Sequence, residues 1–263
     1  MVKRLLTSFV GLILFFAVLF FPYNELFVAA VLGITLIAIY EIHNAVCKKR
    51  MLMLVGILMS IIIFISNISG HLEFGILILL AVYLLLSIIE FGKIEVKTVY
   101  MLGFATAVYS TFISTIAIIK MEYNVAITFL PFILSWITDT GAYFVGCSMG
   151  KHKLIPHLSP KKTVEGAVGG IVACVLISLL YVFILDKIGI SIFGGNDYLK
   201  ILVVSFVGSV ISQLGDFASS AIKREFNVKD FGNILPGHGG VLDRFDSIIF
   251  VAPFVYYLLR LLA

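Results

Sequence analysis

The stretch ILVVSFVGSVISQLGDFASSAIK, residues 201–223, decides what kind of fold this chain adopts. It is apolar and long enough to cross a bilayer, yet it carries an aspartate near one end. Ser205, Ser209, Ser212, Asp216, Ser219 and Lys223 follow one another at spacings of four and three, which gathers them on one face of a helix. Gln213 and Ser220 flank that face. A carboxylate in hydrocarbon costs several kcal/mol, so the face must line a water-filled cavity or a protein interior. At about 1.5 Å per residue, Asp216 sits roughly 10 Å inside the end marked by Lys223.

The rest of the chain is as greasy as this segment. Its 263 residues are 61% hydrophobic and only 13% charged, with a mean hydropathy of +1.12. Soluble domains are about half apolar and about a quarter charged, so the composition excludes an ordinary soluble domain. A membrane core about 30 Å thick needs roughly 20 apolar residues per helix. On that ruler the expected fold is all-α and polytopic, with about nine spans near 5–21, 25–42, 51–68, 73–91, 98–119, 124–149, 165–186, 198–222 and 247–262. The first of these has the flanks of a secretory signal, but no small-residue cleavage site follows, so it reads as a membrane helix. Cys47, Cys147 and Cys174 lack metal-ligand or CxxC spacing, and no disulfide framework is expected.

The 19 basic residues orient the chain. With the N-terminus in the cytoplasm, all of them but Lys120, Lys187, Lys200 and Arg260 fall in cytoplasmic loops or at the matching helix ends. Residues 1–122 keep every charge in a loop or at a segment end, as a scaffold of about five helices would. From 123 to 263, charges enter the spans, and this region of about four helices with cytoplasmic loops is where chemistry is expected.

Four polar elements carry that expectation. Asp216 lies on the striped face described above. Asp139, in SWITDTGAYFVG, shares a helix face with Ser135, Tyr143 and Gly146, and suits either a structural pairing or a ligand contact. In HLSPKKTVEGAVGG, residues 157–170, Pro160 ends one segment and Thr163 is placed to cap the next helix, with Glu165 in its first turn. Lys161 and Lys162 just before that helix are either membrane-surface anchors or phosphate ligands. Gly166 and Gly170 form a small-residue packing face with no chemistry of their own. The fourth element is GHGGVLDRFDS, residues 237–247. Its glycines let backbone N–H groups approach a ligand, while Asp243, Arg244 and Asp246 lead into the last span. Asp216 and Asp243 suggest a magnesium site, because magnesium takes one or two carboxylates together with phosphate oxygens and water. Lys223, Arg224, Lys229 and Arg244 add phosphate-binding charge. His238 reads as a base or as a hydrogen-bonding loop residue.

The run Ser220-Ala-Ile-Lys-Arg, then Lys229-Asp230-Phe231-Gly232 and Leu235-Pro236-Gly237-His238-Gly239-Gly240-Val241-Leu242-Asp243-Arg244-Phe245-Asp246, resembles the signature of the phosphatidate cytidylyltransferases, or CDP-diacylglycerol synthases. SPKKTVEG (159–166), TDTGAYFVG (138–146) and SQLGD (212–216) resemble that family too, whereas residues 1–122 match it only as apolar helices. The resemblance implies cytidylyl transfer from CTP to phosphatidic acid, giving CDP-diacylglycerol and pyrophosphate. It implies magnesium, with room for a second cation such as K+, and a homodimer among membrane lipids with its active site facing the cytoplasm. Asp216, Asp243, Lys223, His238 and Asp246 become the expected catalytic residues. Asp139, Lys161, Lys162, Ser220, Arg224, Lys229, Gly239, Gly240 and Arg244 become the expected substrate contacts. No residue reads cytosine by its type. A CTP-dependent polyprenol or phytol kinase would use similar parts, and a transporter would also place carboxylates inside spans. The length and plain architecture point to a bacterial plasma membrane, and nucleic acid is not among the expected partners.

The charge bias predicts that 43–50, 151–163 and 223–246 are cytoplasmic. In a cysteine-free version carrying Lys48→Cys or Asn233→Cys, membrane-impermeant thiol reagents should label neither position in intact cells. Labelling of Asn233→Cys from outside would reverse the orientation.

Overall fold

The computed structural model describes residues 2–195, 197–235, 237 and 239–262. The chain is helical almost throughout and divides into two compact units, Met1–Glu122 with Phe226–Phe245, and Tyr123–Glu225 with Asp246–Ala263. Among the described residues, eight helices are long and apolar enough to cross a membrane. They are α2 (Asn24–Val46), α3 (Arg50–Ile68), α4 (Leu72–Ile89), α5 (Val96–Glu122), α6 (Val125–Met149), α7 (Val164–Lys187), α8 (Asp197–Glu225) and α9 (Leu242–Leu262). The first helix, α1 (Val2–Leu19), contributes the shorter apolar run Phe9–Leu19.

Two details differ from the sequence reading. The 151–163 loop contains a short antiparallel hairpin, β1 (Lys153–Ile155) paired with β2 (Ser159–Thr163). The last helix begins at Leu242, five positions earlier than hydropathy suggests, so Asp243 lies in its first turn. A hydropathy ruler counts apolar residues only, whereas the first turn of a helix, with its unpaired N–H groups, favours acidic side chains.

In the first unit, Leu52, Met59, Ile63, Leu79, Leu86, Val99 and Leu102 form a buried apolar cluster around Tyr83. A polar relay runs through it. His43 Nδ1 donates to the Ile39 carbonyl at 2.9 Å, and its Nε2 lies 3.2 Å from the Tyr83 hydroxyl. That hydroxyl is in turn 3.1 Å from Thr106 Oγ1. The relay ties α2, α4 and α5 together, and every member is buried. Gly56 and Gly103 make room for it, since a Cβ on either would lie 2.3 Å from His43 Nε2 or 2.8 Å from the Tyr83 ring. Charges at helix ends are likewise matched: Lys49 pairs with buried Glu90, and Lys120 donates to the Leu19 carbonyl at 3.0 Å.

In the second unit, α6 starts at Asn124, whose Oδ1 accepts from the Ile127 N–H at 3.0 Å. Helices α6 and α7 approach closely over glycines. A Cβ on Gly166 or Gly170 would meet the carbonyl oxygens of Ala142 or Thr138 at 2.7 Å, which leaves glycine as the residue that fits. Gly208 admits Leu134 to α8, and Gly215 admits Phe250.

Overpacking a filled interior costs about 1–3 kcal/mol, whereas Gly→Ala in an open helix position gains about 0.5–1 kcal/mol. Gly56→Ala should therefore lower the thermal unfolding midpoint of the detergent-solubilised protein. Gly33→Ala, with open space around it, should leave that midpoint unchanged or raise it.

Candidate active site

The second unit holds a cavity of about 430 Å³ whose wall includes Asp139, Lys153, Lys161, Lys162, Gln213 and Asp216. Three sequence segments reach it for separate reasons. Helix α6 brings Asp139 and Tyr143 on the face predicted from their spacing, and the buried Ser135 continues that face inside the helix packing. The hairpin brings the lysines. Its position is set by Glu165, whose carboxylate accepts the backbone N–H groups of Lys151 at 3.1 Å and His152 at 3.2 Å and lies 2.6 Å from His152 Nδ1. Thr163 closes the hairpin and caps α7, its Oγ1 accepting from the Gly166 N–H at 3.1 Å. Helix α8 brings Gln213 and Asp216.

The polar stripe of α8 proves to have two parts. Ser205, Ser209, Ser212 and Ser219 are fully buried, and Ser205 and Ser209 donate back to their own helix. They are packing residues, small enough to let helices close. Only Gln213 and Asp216 open to the cavity.

There the charges are matched in pairs. Lys162 forms an ion pair with Asp216 and lies over the Phe217 ring, 4.3 Å from its centroid. Ser220 Oγ lies 3.4 Å from the other Asp216 oxygen. Lys223 Nζ is 4.0 Å from Asp246 Oδ2, and Asp246 Oδ1 accepts from the Ser247 N–H at 2.8 Å. Asp139 interacts electrostatically with Asp216, Lys162 and Asp246 and by hydrogen bond with Ser247. The second unit thus gathers Asp139, Lys161, Lys162, Asp216, Ser220, Lys223 and Asp246 around one polar region, with Arg224 exposed at the end of α8. Lys153, a cavity-lining cation, was not singled out from the sequence because a lone lysine in a basic loop reads as an anchor.

The glycine-rich loop belongs to the first unit. Asp243 Oδ2 accepts from the N–H groups of Phe231 at 2.8 Å and Gly240 at 3.1 Å, so this carboxylate holds the loop's own backbone. Gly239 takes φ +86°, a left-handed conformation that favours glycine, and a Cβ there would lie 3.3 Å from both Asp230 and Asp243. The Gly240 N–H, expected to meet a ligand, bonds Asp243 in this structure. Lys229 and Arg244 are exposed. His238 lies outside the described residues.

Glu41 is what the sequence reading missed. It sits at the end of a span and reads as a solvated charge, yet it is 1% exposed and accepts from the N–H groups of Val241 and Leu242 at 2.9 and 2.8 Å. Its signal, a lone carboxylate at the end of the apolar span 25–42, has no local partner to reveal it.

Fold and cavity together define an integral membrane protein with a polar, lysine-lined pocket. The chain belongs to the cytidylyltransferase family, whose profile matches residues 2–262. It is 47% identical over 140 residues to the phosphatidate cytidylyltransferase of Bacillus subtilis (strain 168), covering 53% of this chain and 49% of that protein. With the phosphatidate cytidylyltransferase of Staphylococcus haemolyticus (strain JCSC1435) the identity is 48% over 128 residues, 49% of this chain and 46% of the relative. The Staphylococcus aureus (strain COL) protein of the same name gives the same identity and coverage. By these alignments the chain spans about half the length of the curated relatives it matches.

Proposed function

We propose that this protein transfers the cytidylyl group of CTP to phosphatidic acid, releasing pyrophosphate and CDP-diacylglycerol. It would work as a homodimer at the cytoplasmic face of a bacterial plasma membrane. The observation that carries the reading is the cavity where Lys153, Lys161 and Lys162 of the hairpin meet Asp139 and Asp216 of two helices long and apolar enough to span a membrane. Cations there suit the phosphates of both substrates. A lipid phosphate reaches such a place from the bilayer, and a nucleotide from the water.

The reaction is an in-line displacement. An oxygen of the phosphatidate phosphate attacks the α-phosphorus of CTP, a new P–O bond forms, and the bond to the β-phosphate breaks as pyrophosphate leaves. A phosphate monoester has its second pKa near about 6, so the nucleophile is largely ionised at neutral pH and needs no strong base. Lys161 and Lys162 hold phosphate oxygens and neutralise charge that builds as the α–β bond breaks. When phosphate draws Lys162 away, Asp216 is released from its ion pair.

Asp216 would then hold magnesium, and Asp243 is the second carboxylate that the motif names. The donors fit this ion. They are hard oxygens, and among the described residues no group of three His, Cys, Asp or Glu side chains makes a ready metal cage. Magnesium that keeps water and phosphate oxygens as its other ligands requires none. Held by these carboxylates, it would supply positive charge to offset that of the leaving pyrophosphate. A second cation such as K+ would have only a charge-balancing part.

Membranes containing the protein, given phosphatidate and CTP labelled at either the α or the γ phosphate, should place only the α label in lipid. Entry of the γ label would identify a lipid kinase, and entry of neither would end the enzymatic reading.

Lys161→Ala and Lys162→Ala should each lower kcat/KM by about tenfold to a hundredfold, the worth of one charged hydrogen bond at about 1.5–3 kcal/mol. Asp216→Asn and Asp243→Asn should fold but lose transfer, with any residual activity needing far more magnesium. Near-normal rates and magnesium dependence in both would remove these aspartates from the metal site.

A further inference from the structure

Helix α9 starts without a capping side chain of its own. The residues before it are Gly239, Gly240 and Val241, and none of them offers a side-chain acceptor to the first N–H groups. The acceptor comes from the opposite end of the sequence. Glu41, on α2, takes the N–H groups of Val241 and Leu242 on its two oxygens, Oε1 and Oε2. An anion at that position also meets the positive end of the helix dipole.

The loop is shaped around this carboxylate. A Cβ on Gly232 would lie 2.4 Å from Glu41 Oε1, and a Cβ on Gly240 would lie 2.5 Å from Oε2. Both glycines are therefore required by close approach to Glu41. The neighbouring Phe231 and Gly239, together with Gly240, also surround Asp243. Burying a carboxylate at 1% exposure is costly. An apolar residue would serve packing at this position, but it would supply no acceptor to the loop.

We infer that Glu41 is a positioning residue for the glycine-rich loop of the family motif: it holds Gly232, Gly240, Val241 and Leu242 and so sets where Asp243 and Arg244 project. The inference rests on the proposed function and takes this basic, glycine-rich loop, with its expected substrate contacts Lys229, Gly239, Gly240 and Arg244, as the part suited to a soluble nucleotide. It assigns a role in the reaction to the N-terminal half of the chain, which composition presents as scaffold.

The test combines kinetics with amide hydrogen exchange on the full-length protein in detergent. Glu41→Gln keeps the size of the side chain but turns one oxygen into a donor facing a donor. The KM for CTP should rise by about tenfold or more, while the KM for phosphatidate stays within about twofold of wild type. Exchange at 231–243 should speed up, with α3–α5 as protected as before. Glu41→Asp, which keeps the charge on a shorter stem, should fall between wild type and Glu41→Gln in both measurements, and it carries the test if Glu41→Gln does not accumulate folded. Gly240→Ala should reproduce the CTP defect in the wild-type background and add little to Glu41→Gln. Wild-type kinetics and exchange in the Glu41 variants overturn the inference. So do equal rises in both KM values or faster exchange across α3–α5, which would make Glu41 a general packing group. A wild-type protein that transfers no α label from CTP removes the enzymatic reading instead, and the exchange data still decide whether Glu41 holds the loop.

Discussion

A charged group among apolar helices must meet a partner, because in hydrocarbon no water compensates its lost hydration. That constraint orders this structure from end to end. Glu90 is buried and meets Lys49. Lys120 is buried and meets the Leu19 carbonyl. Glu41 meets two backbone N–H groups at the start of α9. Asp216 meets Lys162. Each pair joins segments far apart in sequence, so each fixes packing that apolar contact would leave free to slide.

The pairs differ in what they can do next. Glu41 is buried and bonded to backbone N–H groups, with Gly232 and Gly240 pressed against it. Lys162 and Asp216 are only part-buried and face a cavity, so their pairing is open to exchange with a ligand of matching charge, as the proposed function requires. Matched charge holds such a site together without a ligand and can be exchanged at small cost for matched charge with one. A cluster of lysines lacking any counter-charge would be costly to keep dry.

Glycine is the second device. Between α6 and α7 it lets two backbones come close enough that carbonyl oxygens stand where a Cβ would be. In the 232–240 loop it lets the chain close over Glu41 and bend through a left-handed turn at Gly239. The first use seats Asp139 beside the hairpin lysines, and the second shapes the approach to Asp243.

The membrane class, the positions of the helices and the family motif were legible in the sequence, because each depends on local quantities. A span is a length of apolar residues, a helix face is a spacing, and a motif is an order of residues. The cap at Thr163 and the shared face of Asp139 and Tyr143 followed from spacing in this way. What tertiary structure decided is which polar group answers which. The Gly240 N–H bonds the Asp243 carboxylate, and Ser205 and Ser209 of α8 bond back to their own helix, pairings that spacing alone does not reveal. Glu41 shows the limit most clearly: its partners lie about 200 positions away, and hydrogen bonds across that separation leave no trace in composition or periodicity.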